Sequence, residues 1–167
     1  MPADRRAAQP QGWPASAEMP LLIRQTLASS PVCVRAALAR TMASLRGLRL
    51  TPDCAATVEL VLAETLNNVV EHAYGSGPPG PIEMSIWLDR GPAPALFCLI
   101  CDRGAPMPDG TPPSGRRALL DVPLDDMPEG GFGWFLIRSL TRDLDYVRLA
   151  GCNRLSFLVP IEMLPAP

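Results

Sequence analysis

The pattern of apolar and polar positions divides the chain into a short series of helices and strands. The segment "MPLLIRQTLA" predicts a first strand, and helical spacing of apolar residues follows over residues 31–47 and 52–74. Ser30 and Thr51 stand before these two helices as N-caps, each followed by proline. Alternation in "IEMSIWLDR" and "ALFCLICDR" predicts two strands. A helix in "FGWFLIRSLT" and a hairpin in "LDYVRLAGCNRLSFLVP", turning at Ala150-Gly151, complete the order.

This order of elements predicts an α+β fold. We expect a two-layer sandwich, in which helices cover one face of a mixed but largely antiparallel sheet. Residues 1–18 are rich in Pro and Ala without a period, so we expect a flexible arm before a single domain at 19–167. Residues 104–130 lack periodicity, and a loop of that length inside a domain is usually functional.

The second helix carries an unusual polar flank beside its apolar arc. The arc predicted to face the sheet consists of Val58, Leu62, Leu66, Val69 and Ala73. Glu64 and Asn68 lie one turn apart and project together, which suits a Mg²⁺ ligand beside a general base. A merely solvated pair is the alternative. We expect His72 at the edge of the core with one satisfied nitrogen, and Glu71 at the surface.

Composition excludes several classes of function. An apolar content of 47% with 19% charged residues predicts a globular protein. The net charge of -2 disfavours nucleic acid and anionic membranes as direct partners. All 15 basic residues are Arg, and the absence of Lys excludes Schiff-base chemistry and P-loops.

Hydropathy and cysteine usage indicate a cytoplasmic location. No apolar run approaches the roughly 18 residues of a membrane helix, and residues 1–19 lack the apolar segment of a signal peptide. The five cysteines show no disulfide framework, so we expect free thiols. Cys98 and Cys101 fall inside a predicted strand, which indicates packed thiols rather than a redox pair.

Two later stretches combine glycines with a strand end and a helix start. "CDRGAP" places Asp102 at the end of a strand, before Gly104 and Pro106, and such a carboxylate can accept a hydrogen bond from an exocyclic amine. "EGGFGWFLIRSL" places a glycine cluster at the entry to a helix, where backbone N–H groups can approach phosphates. The glycines of that cluster are Gly130, Gly131 and Gly133.

With "AETLNNVVEHAYG", these stretches form an ordered trio that resembles the GHKL ATPase superfamily and its Bergerat fold over about residues 20–160. The closest likeness is to the bacterial anti-sigma-factor serine/threonine kinases of partner-switching modules. The resemblance implies ATP and Mg²⁺ as cofactors, with Glu64 as general base, Asn68 as Mg²⁺ ligand and Asp102 as the reader of adenine. Gly104 and Pro106 would shape the base pocket, and residues 104–130 would form a lid.

Further positions follow from the same resemblance. Gly130, Gly131 and Gly133 would line the phosphates, while Arg116 or Arg117 would reach them from the lid. Asn153 is a further candidate near the base. Trp134 departs from the family, which usually has Leu there, so helix packing behind the phosphates is expected to differ.

The resemblance leaves three hypotheses about function. The first is a protein serine/threonine kinase that phosphorylates an anti-anti-sigma partner with a STAS domain and sequesters a sigma factor, with homodimers common in the branch. The second is a nucleotide-dependent sequestering module without kinase activity. The third is a degenerate fold that binds no nucleotide. A sensor histidine kinase is disfavoured because the only His lies within the helix motif, and gyrase-like enzymes need a transducer domain for which we expect no residues.

Overall fold

Five strands and three α-helices are the main elements of the part of the chain described by the computed structural model, residues 19–115 and 132–165. The helices are α1 (Pro31–Leu45), α2 (Pro52–Asn68) and α3 (Phe132–Leu140). The strands are β1 (Leu21–Ala28), β2 (Pro81–Asp89), β3 (Ala95–Asp102), β4 (Arg142–Leu149) and β5 (Cys152–Pro160). Each lies where the apolar pattern predicts it. The predicted arm at 1–18 and lid residues 116–130 lie outside the described residues.

Local sequence determines where α1 and α2 begin. The Ser30 hydroxyl accepts the Cys33 N–H at 3.3 Å, and the Thr51 hydroxyl accepts the Cys54 N–H at 3.4 Å. Both helices also have proline in the first turn, where an N–H would have no helical partner. The predicted N-caps are therefore confirmed.

The five strands form one sheet in the order β1-β2-β3-β5-β4, and every described pair is antiparallel. The β4–β5 hairpin turns at Ala150 and Gly151, whose φ angles of 49° and 77° are those of a tight two-residue turn. The register of β3 against β5 places Asp102 directly opposite Asn153. Two residues distant in sequence thus become neighbours at one end of the sheet.

The main core lies between the helices and one face of the sheet. It combines buried side chains of α1, α2 and α3 with alternate residues of the strands. Its fully buried large members include Leu62, Leu66, Met84, Ile100 and Phe157. A smaller cluster of Ala95, Phe97 and Leu158 lies on the opposite face. This is the predicted α+β sandwich with its helices on one face.

The helix that begins with α2 changes its winding after Asn68. Residues Val69–Tyr74 form a π-helical continuation, in which the Gly75 N–H bonds to the Val70 carbonyl at 3.0 Å. The predicted arc faces the core, although Ala73 at its end is only half-buried. The prediction for His72 is wrong, because its side chain is exposed. A π-turn holds more residues than an α-turn, so it rotates this position away from the α-helical arc.

None of the helices in residues 19–115 and 132–165 is long and apolar enough to cross a membrane.

Candidate functional site

The flank of α2 faces the first turn of α3. Glu64 and Asn68 are half-buried, and Gly133 lies directly across from them. A Cβ atom built on Gly133 would lie 2.5 Å from Glu64 Oε2 and 3.9 Å from Asn68 Nδ2. The absence of a side chain at Gly133 therefore allows α3 to approach the carboxylate. Three of the predicted site residues, from two separate motifs, come together here.

Asn68 has a buried polar atom without a hydrogen-bond partner among the described residues. Its Nδ2 atom is buried, and no hydrogen-bond acceptor reaches it among the described residues. An unsatisfied buried donor costs about 1–3 kcal/mol. The oxygen and nitrogen ends of a side-chain amide have nearly the same shape, so a half-turn of the amide would place Oδ1 there instead. The position therefore suits a bound group, as donor to an oxygen or as oxygen ligand to a cation.

The last residue of β3 forms the other end of the candidate site. Asp102 is only 6% exposed, and its Oδ1 atom accepts the Gly104 N–H at 2.8 Å and Asn153 Nδ2 at 2.7 Å. Among the described residues, no donor reaches Asp102 Oδ2. Burial raises the pKa of Asp102, against the opposing effects of the two hydrogen bonds and of the Arg148 charge. One oxygen is thus held in place, while the other is left to accept a donor.

The loop after β3 packs closely against the end of the π-helical segment. The Ala105 N–H donates to the Ala73 carbonyl at 2.7 Å. A Cβ atom on Gly104 would collide with that same backbone, so glycine is required at this close approach. Pro106 follows as an exposed residue. Gly104 therefore permits the contact between this loop and the helix, while its role in shaping a base pocket stays a prediction.

One continuous helix joins the two ends of the candidate site. Glu64 and Asn68 lie on α2, and Ala73 lies near the end of its π-helical continuation. Ala73 lies nine positions after Glu64, a distance on the order of 10 Å along a helix axis. The arrangement suits an elongated ligand with an amine at the Asp102 end and anionic groups at the Gly133 end.

The described first part of the predicted lid is attached to α3. The Arg138 guanidinium donates to the carbonyl oxygens of Pro112 and Pro113, both at 2.7 Å. Gly115 has a φ angle of 62° and lies so close to α3 that a Cβ atom would be 2.6 Å from Phe135 N. A cavity of about 600 Å³ remains between residues 108–114 and Arg138.

Four predicted residues around the lid lie outside the described part of the chain. They are Arg116, Arg117, Gly130 and Gly131. Their roles stay predictions.

Comparison with known proteins decides the family. Residues 27–158 match the histidine kinase-like ATPase domain. The chain belongs to this family. The match confirms the family predicted from the three motifs.

Two relatives extend this result. The chain is 34% identical over 103 residues to the serine/threonine-protein kinase BtrW of Bordetella bronchiseptica, which agrees with the predicted kinase branch. That match covers 60% of this chain and 66% of BtrW. A structure containing the RsbU and RsbW domains of a Mycobacterium tuberculosis protein superposes with a TM-score of 0.58 at 16% identity. It covers 85% of this chain but 32% of that one, and it supports the fold alone.

Membership of this ATPase-domain family implies that the protein binds ATP. Whether Mg²⁺ could bind beside ATP depends on the oxygen ligands that the site offers. The side-chain amide of Asn68 can supply an oxygen atom, the ligand type that Mg²⁺ prefers, and the Glu64 carboxylate lies one turn away from it. The described residues contain no cluster of three or more His, Cys, Asp or Glu that could hold a metal alone. A site that takes one or two protein oxygens together with substrate phosphates fits this arrangement.

Sequence reasoning missed two residues on β4. Tyr146 and Arg148 both donate to Asn153 Oδ1. Both residues could have been found from the predicted hairpin turn at Ala150-Gly151. That turn sets a register in which Arg148 pairs with Asn153, and Tyr146 lies on the same face two residues away.

The Cys98-Cys101 pair is not a redox motif. These residues lie on opposite faces of β3, and all five cysteines are free. Burial raises the pKa of Cys98, and burial followed by the neighbouring Cys152 raises the pKa of Cys101 to about 11. The prediction of packed thiols is confirmed.

Proposed function

We propose that this protein binds Mg·ATP and transfers the γ-phosphoryl group to a serine or threonine of an anti-anti-sigma partner with a STAS domain. The observation that carries the proposal is the approach of Gly133 to Glu64 and Asn68. The helix that carries this pair continues to Ala73, whose carbonyl accepts the N–H of Ala105 in the loop after Asp102. The same molecule would sequester a sigma factor and release it when the unphosphorylated partner binds.

The base would be recognised at the Asp102 end. Asp102 Oδ2 can accept a hydrogen bond from the exocyclic amine of adenine, a charge-assisted contact worth about 1.5–3 kcal/mol. Asn153 holds the carboxylate through the other oxygen at 2.7 Å. Gly104 allows the loop after Asp102 to approach the backbone of Ala73.

The phosphates would lie between α2 and the start of α3. The N-terminus of a helix carries exposed N–H groups and the positive end of its dipole, both of which favour phosphate. Asn68 would direct its buried amide at the phosphates or, after a half-turn, at the cation. Bound Mg²⁺ would supply charge neutralisation of the phosphates. Gly130, Gly131 and Arg116 are proposed to complete this end.

Glu64 would act as the general base. Its carboxylate takes the proton of the attacking hydroxyl as the new oxygen–phosphorus bond forms and the bond to the ADP oxygen breaks. Such a base contributes typically about 10²–10⁴-fold. Most of the remaining acceleration in phosphoryl transfer comes from positioning and from stabilisation of charge.

The name of the Bordetella relative supports the choice of a protein kinase over other ATPases. Because the match covers 66% of that protein, the partner, the sigma factor and homodimer formation are all proposals for this chain. A cytoplasmic location is likewise a proposal, and it rests on the hydropathy and the cysteine usage of the sequence.

The test is phosphoryl transfer from γ-labelled ATP to the STAS-domain protein encoded nearest the gene, with ATP affinity measured in parallel by calorimetry. Glu64→Gln should bind ATP nearly as well as the wild type but lose about 10²–10⁴-fold in transfer. Glu71→Gln is the matched control, because Glu71 is exposed on the same helix, and it should transfer at the wild-type rate. Unchanged transfer by Glu64→Gln would reject Glu64 as the base.

The same assay separates the remaining hypotheses. ATP binding without label on any STAS protein would favour a nucleotide-dependent sequestering module. Absence of ATP binding by the wild-type protein would reject the proposal as a whole.

A further inference from the structure

Strand β4 carries none of the motif residues, yet two of its side chains reach the pair formed by Asp102 and Asn153. The Tyr146 hydroxyl donates to Asn153 Oδ1 at 2.7 Å and accepts the Met107 N–H at 3.1 Å. Arg148 Nη1 donates to Asn153 Oδ1 at 2.5 Å and to the Gly104 carbonyl at 3.0 Å. The two side chains therefore join β4 both to Asn153 and to the loop after β3.

These contacts permit only one orientation of the Asn153 amide. Asn153 Nδ2 donates to Asp102 Oδ1 at 2.7 Å and to the Ala105 carbonyl at 2.9 Å. A half-turn of the amide would point its N–H groups at Arg148, which has no acceptor, and its oxygen at two other acceptors. Asn153 is only 4% exposed, so water cannot supply the hydrogen bonds that this half-turn would remove.

A fixed Asn153 determines what Asp102 can offer to a ligand. With Oδ1 accepting from both Gly104 and Asn153, Oδ2 is left as an acceptor for a donor on the ligand. A purine with an amino group at position 6 supplies that donor, whereas a purine with an oxygen at position 6 presents a second acceptor. Two acceptors facing each other in a buried site are unfavourable.

We propose that Tyr146, supported by Arg148, is a positioning residue that sets the selectivity of the candidate site for 6-aminopurine over 6-oxopurine nucleotides. The inference rests on the proposed function, because it assumes that the candidate site binds a purine nucleotide. Tyr146 acts through Asn153 and Asp102 and does not itself contact the base.

The experiment compares ATP with inosine triphosphate, whose base carries oxygen at position 6, by calorimetry on the full chain. Tyr146→Phe keeps the ring and removes the hydroxyl. Loss of one hydrogen bond in the relay should lower the ratio of ATP affinity to inosine triphosphate affinity by about fivefold. A purely structural role would weaken both nucleotides equally and leave the ratio unchanged.

The matched control is Tyr74→Phe, which removes the hydroxyl of the only other tyrosine. The Tyr74 hydroxyl donates to the Pro81 carbonyl and accepts the Arg103 N–H, so it lies beside the same loop but outside the Asn153 network. Its ratio should equal that of the wild type. An equal fall in both tyrosine variants would overturn the inference.

Arg148→Met keeps the inference testable if Tyr146→Phe fails to fold, because Arg148 is exposed and its loss leaves the core intact. It should lower the ratio in the same direction. Wild-type binding of ATP together with an unchanged ratio in the folded variants would overturn this inference alone. Failure of the wild type to bind either nucleotide would overturn it together with the proposed function.

Discussion

Replacing Gly133 with alanine should separate the stability of α3 from the position of the Glu64 carboxylate. The new Cβ would lie 2.5 Å from Glu64 Oε2, whereas ordinary contacts begin at 3.4 Å, so the oxygen must move by about 0.9 Å. The atom displaced is the end of a flexible side chain. Alanine is better than glycine by roughly 0.8–1.0 kcal/mol inside a helix, and Gly133 lies in the first turn, where the gain is smaller. The free energy of unfolding should therefore change little or increase.

Phosphoryl transfer should respond much more strongly. A displacement of about 1 Å of a reacting group can cost about 10²-fold in rate. We expect a loss of that size in transfer to the STAS partner, with a much smaller change in ATP affinity. Thermal unfolding, calorimetry with ATP and the transfer assay measure the three quantities on the same preparation.

Gly47→Ala is the control for the glycine substitution itself. Its backbone is not left-handed, and a Cβ atom there would meet nothing within 4 Å. It should leave transfer unchanged. If Gly133→Ala transferred phosphate at the wild-type rate, the Glu64 carboxylate would not be the base at this position. A large loss of stability instead would mean that Glu64 cannot move aside and that the approach of α3 is more rigid than we infer.

Three further outcomes follow from burial and charge. Because burial raises the pKa of Asp102 while an amine ligand favours the ionised carboxylate, ATP affinity should fall on acidification. In calorimetric titrations, Arg148→Met should move this fall in ATP affinity to higher pH, because it removes a positive charge that lowers the pKa of Asp102. Without ligand, the contribution of Asp102 to folding stability is lost as pH rises through its folded pKa, because burial raises that pKa. Cys101, with its pKa near 11, should react with iodoacetamide at pH 8 about 100-fold more slowly than a model thiol by mass spectrometry. Leu62→Ala should lower the free energy of unfolding by about 2–5 kcal/mol, whereas Leu60→Ala, at 39% exposed, should stay within about 0.5 kcal/mol in denaturant titrations.

The features predicted correctly are those that depend on neighbours in the sequence. Ser30 and Thr51 cap helices whose first turns follow at once, so their effect is visible in a few residues. The i,i+4 spacing of Glu64 and Asn68 likewise sets their common direction before any tertiary contact exists. These residues could be assigned to one flank from sequence alone.

The features that were missed depend on contacts between distant segments. Nothing local indicates that Gly133 faces Glu64, or that Arg138 binds the carbonyl groups of Pro112 and Pro113. The relay from Tyr146 to Asn153 needs both the hairpin register and the approach of the loop after β3. The residue types can be read from the sequence, but the distances between them depend on how the helices, the loop and the sheet pack together.

The π-helical segment explains both a failed prediction and the shape of the candidate site. It begins directly after Asn68 and ends beyond Ala73, so it spans the interval between the proposed phosphate end and the base end. Carbonyl groups in the last turn of a helix lack helical partners, and that of Ala73 is satisfied by the Ala105 N–H.

The wider winding that turns His72 outward also sets where the Ala73 carbonyl meets the loop beside Asp102. A helical segment with hydrogen bonds along its length is stiffer than a loop. The separation of Asn68 from Gly104 is therefore determined by helix geometry. An α-helical pattern in the sequence assigns these residues to one helix but does not predict the π-helical winding of its last turn. That last turn makes the contact with the loop beside Asp102.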